Sequence, residues 1–227
     1  MINELNHIAF IMDGNSTWAT KNSISQMDGY LKGMRTMSDV IVFAKELGLK
    51  YVTFYAFSSE NWGRPPAWVA EFMKLAMWFF RNDESIKKVL DAKAKLKVIG
   101  DKSKLAPEFQ NILNDYEERT KDNDGITVQM AISYGGRDEI VRAFKKIIEK
   151  GDEISENSIS NNLDTAGIPD PQLIVRTSSK QRISNFLLWQ ASYSDFYFSD
   201  LLWPEFDKNE LEKAIDEFSK LKRTYGK

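Results

Sequence analysis

Two clusters of polar residues contain the side chains that phosphate chemistry requires. The first is Asp13-Gly14-Asn15, directly after the apolar run Ile8–Met12. The second is the segment 176–185, which holds two arginines, one lysine, one threonine and three serines. Guanidinium groups and hydroxyls bind phosphate oxygens well. A carboxylate beside a bound phosphate is repelled unless a divalent cation lies between them, so the pattern predicts Mg²⁺ on Asp13.

Each cluster also has a simpler interpretation. Asp13 could only begin a strand-to-helix turn, because Gly14 and Asn15 are common turn residues. Arg176 and Arg182 could form surface ion pairs, which contribute little stability. We favour phosphate binding because Arg176 follows a buried strand, at the crevice end where Asp13 should also lie.

Composition excludes several kinds of site. The 227 residues include no cysteine, so disulfides, thiolate catalysis and cysteine-bound metals are excluded. The single histidine, His7, precedes the first strand and makes a Ser-His-Asp triad a poor interpretation. A net charge of −2 gives no indication of nucleic-acid binding. We find no signal peptide and no membrane-spanning run, so we expect a cytoplasmic protein.

Apolar runs and helical patterns alternate along the chain. The predicted strands are Ile8–Met12, Tyr51–Phe57, Leu96–Ile99, Ile126–Ile132 and Leu173–Val175. The predicted helices are Met34–Leu47 with a Gly48 cap, Ala67–Leu90, Pro107–Thr120, Asp138–Lys150 and Glu210–Leu221. Residues 21–28 resemble a mobile loop or a frayed helix. This alternation predicts one α/β domain over residues 1–227, with a mainly parallel central sheet flanked by helices.

The predicted helix Ala67–Leu90 has a wide apolar face that includes Phe72, Phe79 and Phe80. Such a face usually belongs to the core, but it could also line an apolar tunnel. A tunnel next to a phosphate site would suit a substrate with a charged head and an apolar tail. How Met77, Phe79 and Phe80 are turned would set the depth of the tunnel, and the sequence does not define this.

Motifs over nearly the whole chain resemble the cis-prenyltransferases, the undecaprenyl diphosphate synthase family. They are 7–15 with Trp18, 55–62 with Arg64-Pro65, Ile99-Gly100-Asp101, Tyr134–Arg137, Arg176-Thr177-Ser178, 181–190 and Phe196-Tyr197-Phe198. The resemblance implies an α/β fold with an apolar tunnel, usually as a homodimer, and Mg²⁺ as cofactor. It also implies isoprenoid diphosphates as substrates and, at most, peripheral membrane contact through an apolar product.

The same resemblance assigns site residues. It makes Asp13 and Asn15 catalytic, and Asp13 with Asp195 metal-binding, where Asp195 replaces the family's usual glutamate. It assigns substrate binding to Gly14, Ser16, Thr17, Trp18, Gln26, Tyr30, Phe57, Ser58, Asn61, Trp62, Arg64, Arg176, Arg182 and Ser184. Of these, Arg176, Arg182 and Ser184 should hold the second substrate, normally isopentenyl diphosphate.

The chain departs from the family pattern mainly in the loop for the allylic substrate. Ser16-Thr17 replaces Gly-Arg, Gln26 replaces an arginine and Tyr30 replaces a histidine. Ser179-Lys180 replaces Gly-Glu in the other pocket, and Thr224-Tyr225-Gly226 replaces Arg-x-Gly, where Lys222 or Arg223 could substitute. Losing two arginine contacts, at about 1.5–3 kcal/mol each, would weaken diphosphate binding.

Residues 21–30 also resemble cyclolavandulyl diphosphate synthase, which joins two dimethylallyl diphosphates head to middle. The alternative is neutral drift in a mobile loop. We therefore expect a Mg²⁺-dependent prenyltransferase that gives a short or irregular product. The alternatives are a regular cis-polyprenyl diphosphate synthase and a non-catalytic partner subunit. Product length, stereochemistry, the mode of coupling and cyclisation do not follow from the sequence.

Overall fold

A computed structural model describes residues 5–221 and contains one sheet of six parallel strands. The strands are β1 His7–Ile11, β2 Tyr51–Ser58, β3 Lys95–Ile99, β4 Thr127–Tyr134, β5 Leu173–Arg176 and β6 Asp195–Phe198. Their order across the sheet is β3-β4-β2-β1-β5-β6. The predicted α/β class with a parallel sheet is confirmed.

Eight helices of the described chain flank the sheet. They are α1 Asn15–Lys21, α2 Gln26–Glu46, α3 Pro66–Asn82, α4 Ser85–Asp91, α5 Pro107–Thr120, α6 Gly136–Lys150, α7 Glu156–Asn162 and α8 Lys208–Lys220. Apolar residues from β1, β2, β4, α2 and α3 meet in the main hydrophobic core. The predictions for residues 222–227 lie outside the described residues.

The register of the sheet brings the two polar clusters together. Ile11 at the end of β1 pairs with Arg176 at the end of β5. Asp13 follows Ile11 by two residues, and all five residues of β1 are buried. The carboxyl ends of parallel strands lie at the same edge of a sheet, which is where α/β proteins bind ligands.

Helix α2 begins well before the predicted Met34. The Ser25 hydroxyl accepts a hydrogen bond from the Asp28 backbone N–H and caps the helix. Gly29 and Gly33 suggested a loop, but they allow α2 to pack closely on α1. A Cβ on Gly29 would lie 2.5 Å from the Asn15 carbonyl oxygen. The polar stretch is therefore two helices joined by a short turn.

The predicted helix Ala67–Leu90 is broken at Asp83, which has an extended backbone. The Asp83 carboxylate accepts hydrogen bonds from Ser85 N–H, at 3.0 Å, and from Arg35 Nε, at 2.9 Å. These contacts replace the helical hydrogen bonds at the break. The partner Arg35 lies on α2, 48 residues away, so periodicity along the chain does not reveal the break.

Besides α1, the structure contains two further helices or strands that were not predicted, α7 and β6. α7 has a single buried apolar side chain, Ile159, and so has little helical periodicity. β6 is an edge strand whose four residues are all at least partly exposed. Neither element shows the buried apolar pattern on which the other predictions rested.

His7 is the buried first residue of β1 and joins three parts of the fold. Its Nδ1 donates to the Pro169 carbonyl oxygen at 2.6 Å, and its Nε2 lies 2.8 Å from Thr53 Oγ1. Burial lowers the pKa of His7 from 6.5 to about 4. The hydrogen bond to Pro169 raises the pKa, but its effect is smaller than that of burial. The folded protein therefore keeps this imidazole neutral while the unfolded chain takes up a proton.

We expect His7 to make the protein sensitive to acid between pH 6.5 and about 4. In that window the unfolded chain binds more protons, so the free energy of unfolding falls as the pH falls. The full shift corresponds to roughly 3 kcal/mol at about 1.4 kcal/mol per pH unit. Urea titrations across this range should show a steeper pH dependence for wild type than for His7→Asn. Parallel curves for the two proteins would show that His7 is not responsible.

Candidate active site

A cavity of about 690 Å³ opens at the carboxyl ends of β1, β2 and β5. Its polar part holds the backbone and side chains that follow β1, together with residues of the segment 176–185. Its apolar part extends along α3. The apolar lining includes Met34, Met37, Phe57, Phe72, Met73, Ala76, Phe79, Phe80, Phe109, Met130, Ile132 and Trp203.

The α3 face thus serves both of the predicted purposes. Phe79 and Phe80 line the cavity and are also part of the buried core. Met77 does not line the cavity. It is partly buried and packs against the hydrophobic core. The cavity wall is consequently built by the side chains of α3 that also hold the helix on the sheet.

Asp13 and Arg176 form an ion pair at the centre of the polar part. Arg176 Nε and Nη2 donate to the same Asp13 oxygen, Oδ2, at 3.0 and 2.6 Å. The Asp13 backbone is also fixed, because its carbonyl oxygen accepts from Thr177 Oγ1 at 2.6 Å and from Trp203 N–H at 2.9 Å. The carboxylate is thereby held at one place before any ligand binds.

Arg176 also organises the segment that follows β5. Its side chain is only 3% exposed, and Nη1 donates to Ser184 Oγ at 2.8 Å and to the Arg182 carbonyl oxygen. Arg182 itself is exposed and donates from Nε to Ser184 Oγ at 3.3 Å. One buried guanidinium therefore places Ser184 and Arg182 on the same side of Asp13.

Asn15 is the first residue of α1 and packs closely against α2. Its Nδ2 donates to the Met12 carbonyl oxygen at 3.0 Å. Its Oδ1 is buried without a hydrogen-bond partner and lies so close to Gly33 that a Cβ there would approach it to 2.1 Å. Glycine at position 33 is therefore what leaves room for the Asn15 carboxamide.

Five side chains form a closed set of contacts where the cavity meets solvent, which we call the entrance ring: Ser16, Gln26, Tyr30, Arg64 and Trp68. Gln26 Nε2 donates to Ser16 Oγ at 2.8 Å, and Ser16 Oγ donates to Tyr30 OH at 3.2 Å. Arg64 Nη1 donates to the same Tyr30 oxygen at 3.1 Å. The Arg64 guanidinium lies 4.1 Å above the Trp68 ring, whose Nε1 donates to Gln26 Oε1 at 2.8 Å.

The residues around Asp13 fit a hydrated Mg²⁺ ion. Arg176 binds only Oδ2, while the second carboxylate oxygen, Oδ1, has no hydrogen-bond partner among residues 5–221. The Asp13 side chain is 38% exposed, so water and a ligand can reach it. Within the same residues, no three histidine, aspartate or glutamate side chains are grouped as a metal site. Mg²⁺ commonly binds through one or two carboxylates together with water and substrate phosphates.

The sequence model of the undecaprenyl diphosphate synthase family matches residues 11–226. The chain belongs to this family. The isoprenyl transferase of Fusobacterium nucleatum is 42% identical over 97% of this chain and 95% of its own length. The chain is therefore a prenyltransferase, as members of the family are, and the predicted family and enzyme class are confirmed.

Two solved structures are similar to the chain over almost its full length. Lavandulyl diphosphate synthase from Lavandula x intermedia, solved with dimethylallyl diphosphate, is 31% identical with a TM-score of 0.91 and covers 98% of each chain. A probable undecaprenyl diphosphate synthase from Campylobacter jejuni is 37% identical with a TM-score of 0.84, covering 99% of this chain and 100% of that one.

The structure brings most of the predicted site residues to one cavity. Those on its lining are Asp13, Gly14, Asn15, Ser16, Thr17, Tyr30, Phe57, Ser58, Asn61, Arg64, Arg176, Arg182 and Ser184. Gln26, Trp18 and Trp62 are not on the lining. Gln26 contacts it through Ser16, and Trp62 packs its ring 5.0 Å from that of Phe57.

Within one chain the strand register places Asp195 away from Asp13, and the role of Asp195 as a metal ligand stays a prediction. Asp195 is the first residue of β6 and pairs with Leu173 at the amino end of β5. Leu173 also pairs with Ile8 of β1, whereas Asp13 lies beyond Ile11, which is itself three residues or roughly 10 Å further along at about 3.3 Å per residue. The parallel register therefore separates them, although both residues belong to family motifs.

Sequence reasoning missed several residues of the cavity, including Tyr55, Glu60, Trp68 and Asn185. Asn185 Nδ2 donates to Glu60 Oε1 at 2.7 Å. Burial raises the pKa of the Glu60 carboxyl, but the hydrogen bonds from Asn185 and neighbouring serines outweigh it and lower the pKa. Glu60 and Asn185 lie within the family motifs 55–62 and 181–190. Trp68 lies outside the family motifs, and only its contacts identify it as a site residue.

None of the helices in residues 5–221 combines the length and the apolar character that a bilayer crossing requires.

Proposed function

We propose that this chain joins two small isoprenoid diphosphates in a Mg²⁺-dependent reaction and releases a short or irregular prenyl diphosphate. The observation that carries this is the presence of two separate groups of phosphate-binding side chains in the cavity that holds Asp13. Arg176, Arg182 and Ser184 form one hydrogen-bonded group beside Asp13, and the entrance ring contributes a second group to the same cavity. A site with two anion-binding parts and one central carboxylate suits two diphosphates that share a cation.

The size and shape of the cavity support small substrates. Its volume of about 690 Å³ is within the range of about 300–1,000 Å³ that is typical of small-molecule sites. The aromatic residues Phe79, Phe80 and Phe109 occupy its apolar lining. These bulky side chains leave less room for a long polyprenyl chain than smaller residues would.

The protein's own groups have distinct tasks in this reaction. The carbon–oxygen bond of the allylic donor breaks, and its electron pair leaves with the diphosphate, which Arg64 and the hydroxyls of the entrance ring bind. Mg²⁺ bound at Asp13 would supply Lewis-acid stabilisation of that leaving group. Arg176, Arg182 and Ser184 hold the acceptor so that its double bond forms the new carbon–carbon bond and a proton is lost.

The similarity to the lavandulyl enzyme supports an irregular product. That protein was solved with dimethylallyl diphosphate and has the higher TM-score of the two structures described above. The replacement of basic or protonatable residues by Thr17, Gln26 and Tyr30 points the same way, because an ordinary elongating enzyme must bind its charged donor repeatedly.

A regular cis-polyprenyl diphosphate synthase is the second candidate, and sequence identity favours it. The Fusobacterium isoprenyl transferase and the Campylobacter protein are more similar in sequence, at 42% and 37% identity, than the lavandulyl enzyme. Retention of Asp13 with its Arg176 partner argues against a non-catalytic subunit, because such a subunit needs no metal-binding carboxylate.

Diphosphate release by the purified chain tests whether it is a complete enzyme. We expect release from dimethylallyl diphosphate alone that requires Mg²⁺ and stops when EDTA is added. A reaction that requires isopentenyl diphosphate as acceptor would favour the regular synthase. No release under any of these conditions would contradict the proposal and support a partner-subunit role.

We also infer from the family resemblance a homodimer located in the cytoplasm. Phe196 on the edge strand β6 is 43% exposed and stacks on Phe198. A second copy of the chain would cover this apolar surface. Sedimentation equilibrium should give twice the chain mass of 26.2 kDa, and a monomer at micromolar concentration would contradict this inference.

A further inference from the structure

The entrance ring supplies hydrogen-bond donors and no carboxylate. Arg64 can only donate, and one of its N–H groups is used by Tyr30. Ser16 and Tyr30 have two hydroxyl protons, and one of them lies between the two oxygens. The Gln26 amide donates a hydrogen bond to Ser16 Oγ and therefore accepts neither of the two hydroxyl protons. One hydroxyl proton of the pair is therefore left for a ligand, on residues that line the cavity.

Arg64 depends on other side chains for its position. It is exposed, and no carboxylate of the described chain forms an ion pair with it. Its position is set by the Tyr30 oxygen on one side and by the face of the Trp68 ring on the other. Stacking on an aromatic face attracts a guanidinium and leaves its edge N–H groups free to donate.

Trp68 connects both halves of the ring. Its face holds Arg64, and its indole N–H holds the Gln26 carboxamide, which in turn donates to Ser16. The Trp68 ring is itself packed against Phe72, at 5.3 Å, and against Tyr30, at 5.6 Å. A single side chain of α3 thus orients the cation and the hydroxyl pair together.

We propose that Trp68 is a positioning residue of the donor site. It holds Arg64 and the Ser16–Tyr30 pair in the geometry that binds the diphosphate of the allylic donor. This rests on the proposed function, because the ligand is the donor of that reaction. The entrance ring compensates for the missing basic side chains, because it fixes Arg64 and one hydroxyl proton in positions where they can bind the diphosphate.

The test measures binding of a non-reactive donor, dimethylallyl thiolodiphosphate with Mg²⁺, by calorimetry. Trp68→Leu removes both the ring face and the indole N–H, and should weaken binding about tenfold. Trp68→Phe keeps the face and should lose only about threefold. Trp78→Leu is the matched control, because Trp78 is on the same helix, is 44% exposed and does not line the cavity.

A double-mutant cycle separates positioning from general damage to the fold. If the Trp68 ring face acts through Arg64 and its indole N–H acts through Gln26, then Trp68→Leu should weaken binding only about threefold in an Arg64→Ala background, because the loss of the N–H remains. An equal loss in both backgrounds, or donor binding unchanged in both Trp68 variants, would overturn the proposal. Failure of the wild type to bind the donor analogue would instead contradict the proposed function.

Discussion

Asp13→Asn should lower kcat about 10³-fold with both C5 diphosphates present, because a bound cation contributes several kcal/mol at about 1.4 kcal/mol per decade. The asparagine keeps an oxygen that can accept from Arg176 at 2.6–3.0 Å, so the fold should remain intact. It loses the negative charge that the metal requires. Steady-state assays over a range of Mg²⁺ concentrations measure the effect.

The choice of asparagine follows from the burial of Arg176. Asp13→Ala would leave a guanidinium that is 3% exposed with no acceptor in place of its carboxylate, which destabilises the folded protein. Loss of activity in that variant would mix misfolding with chemistry. Asp216→Asn is a suitable control, because Asp216 is exposed on α8 and far from the cavity lining. Turnover within about threefold of wild type in Asp13→Asn would contradict the metal site.

Arg176→Lys should reduce kcat/KM about 10²-fold, mainly through a higher KM for the acceptor diphosphate. Lysine keeps the charge, but it cannot donate at once to Asp13, Ser184 and the Arg182 carbonyl. Losing one or two charge-assisted hydrogen bonds, at about 1.5–3 kcal/mol each, accounts for that reduction. Steady-state titration of dimethylallyl diphosphate, which serves as both donor and acceptor in the proposed reaction, measures the loss of kcat/KM.

A matched substitution guards against a general effect of replacing arginine. Arg119 forms an exposed ion pair with Asp115 on α5, at 3.0 Å. Arg119→Lys should leave kcat/KM and the melting temperature unchanged, because exposed pairs contribute at most about 1 kcal/mol. If Arg176→Lys behaved like Arg119→Lys, the buried guanidinium would have no part in substrate binding.

Local signals in the sequence predicted the bounds of an element correctly where its buried residues follow a regular period. Helix α5, Pro107–Thr120, has the predicted bounds, because a proline begins it and a regular apolar stripe runs to its end. The proximity of Asp13 and Arg176 also followed from simple rules, because both residues come directly after buried strands of a parallel sheet. The structure places the two side chains in direct contact.

Long-range contacts account for what the sequence did not reveal. The break after α3 depends on Arg35, which binds Asp83 from α2. The separation of Asp195 from Asp13 depends on strand register, which motif order does not encode. Trp68 belongs to the site only because it meets Gln26 and Arg64 in space. In each case the deciding partner is distant in sequence or its position is set by the fold.

The mass of the product from dimethylallyl diphosphate alone tests the central claim most directly. With Mg²⁺ and no isopentenyl diphosphate, we predict a single C10 diphosphate formed from two donor molecules. Mass spectrometry of the dephosphorylated product, with an Asp13→Asn control, would show one C10 alcohol that the variant does not form. No product from dimethylallyl diphosphate alone, together with a ladder of long products when isopentenyl diphosphate is added, would contradict the account.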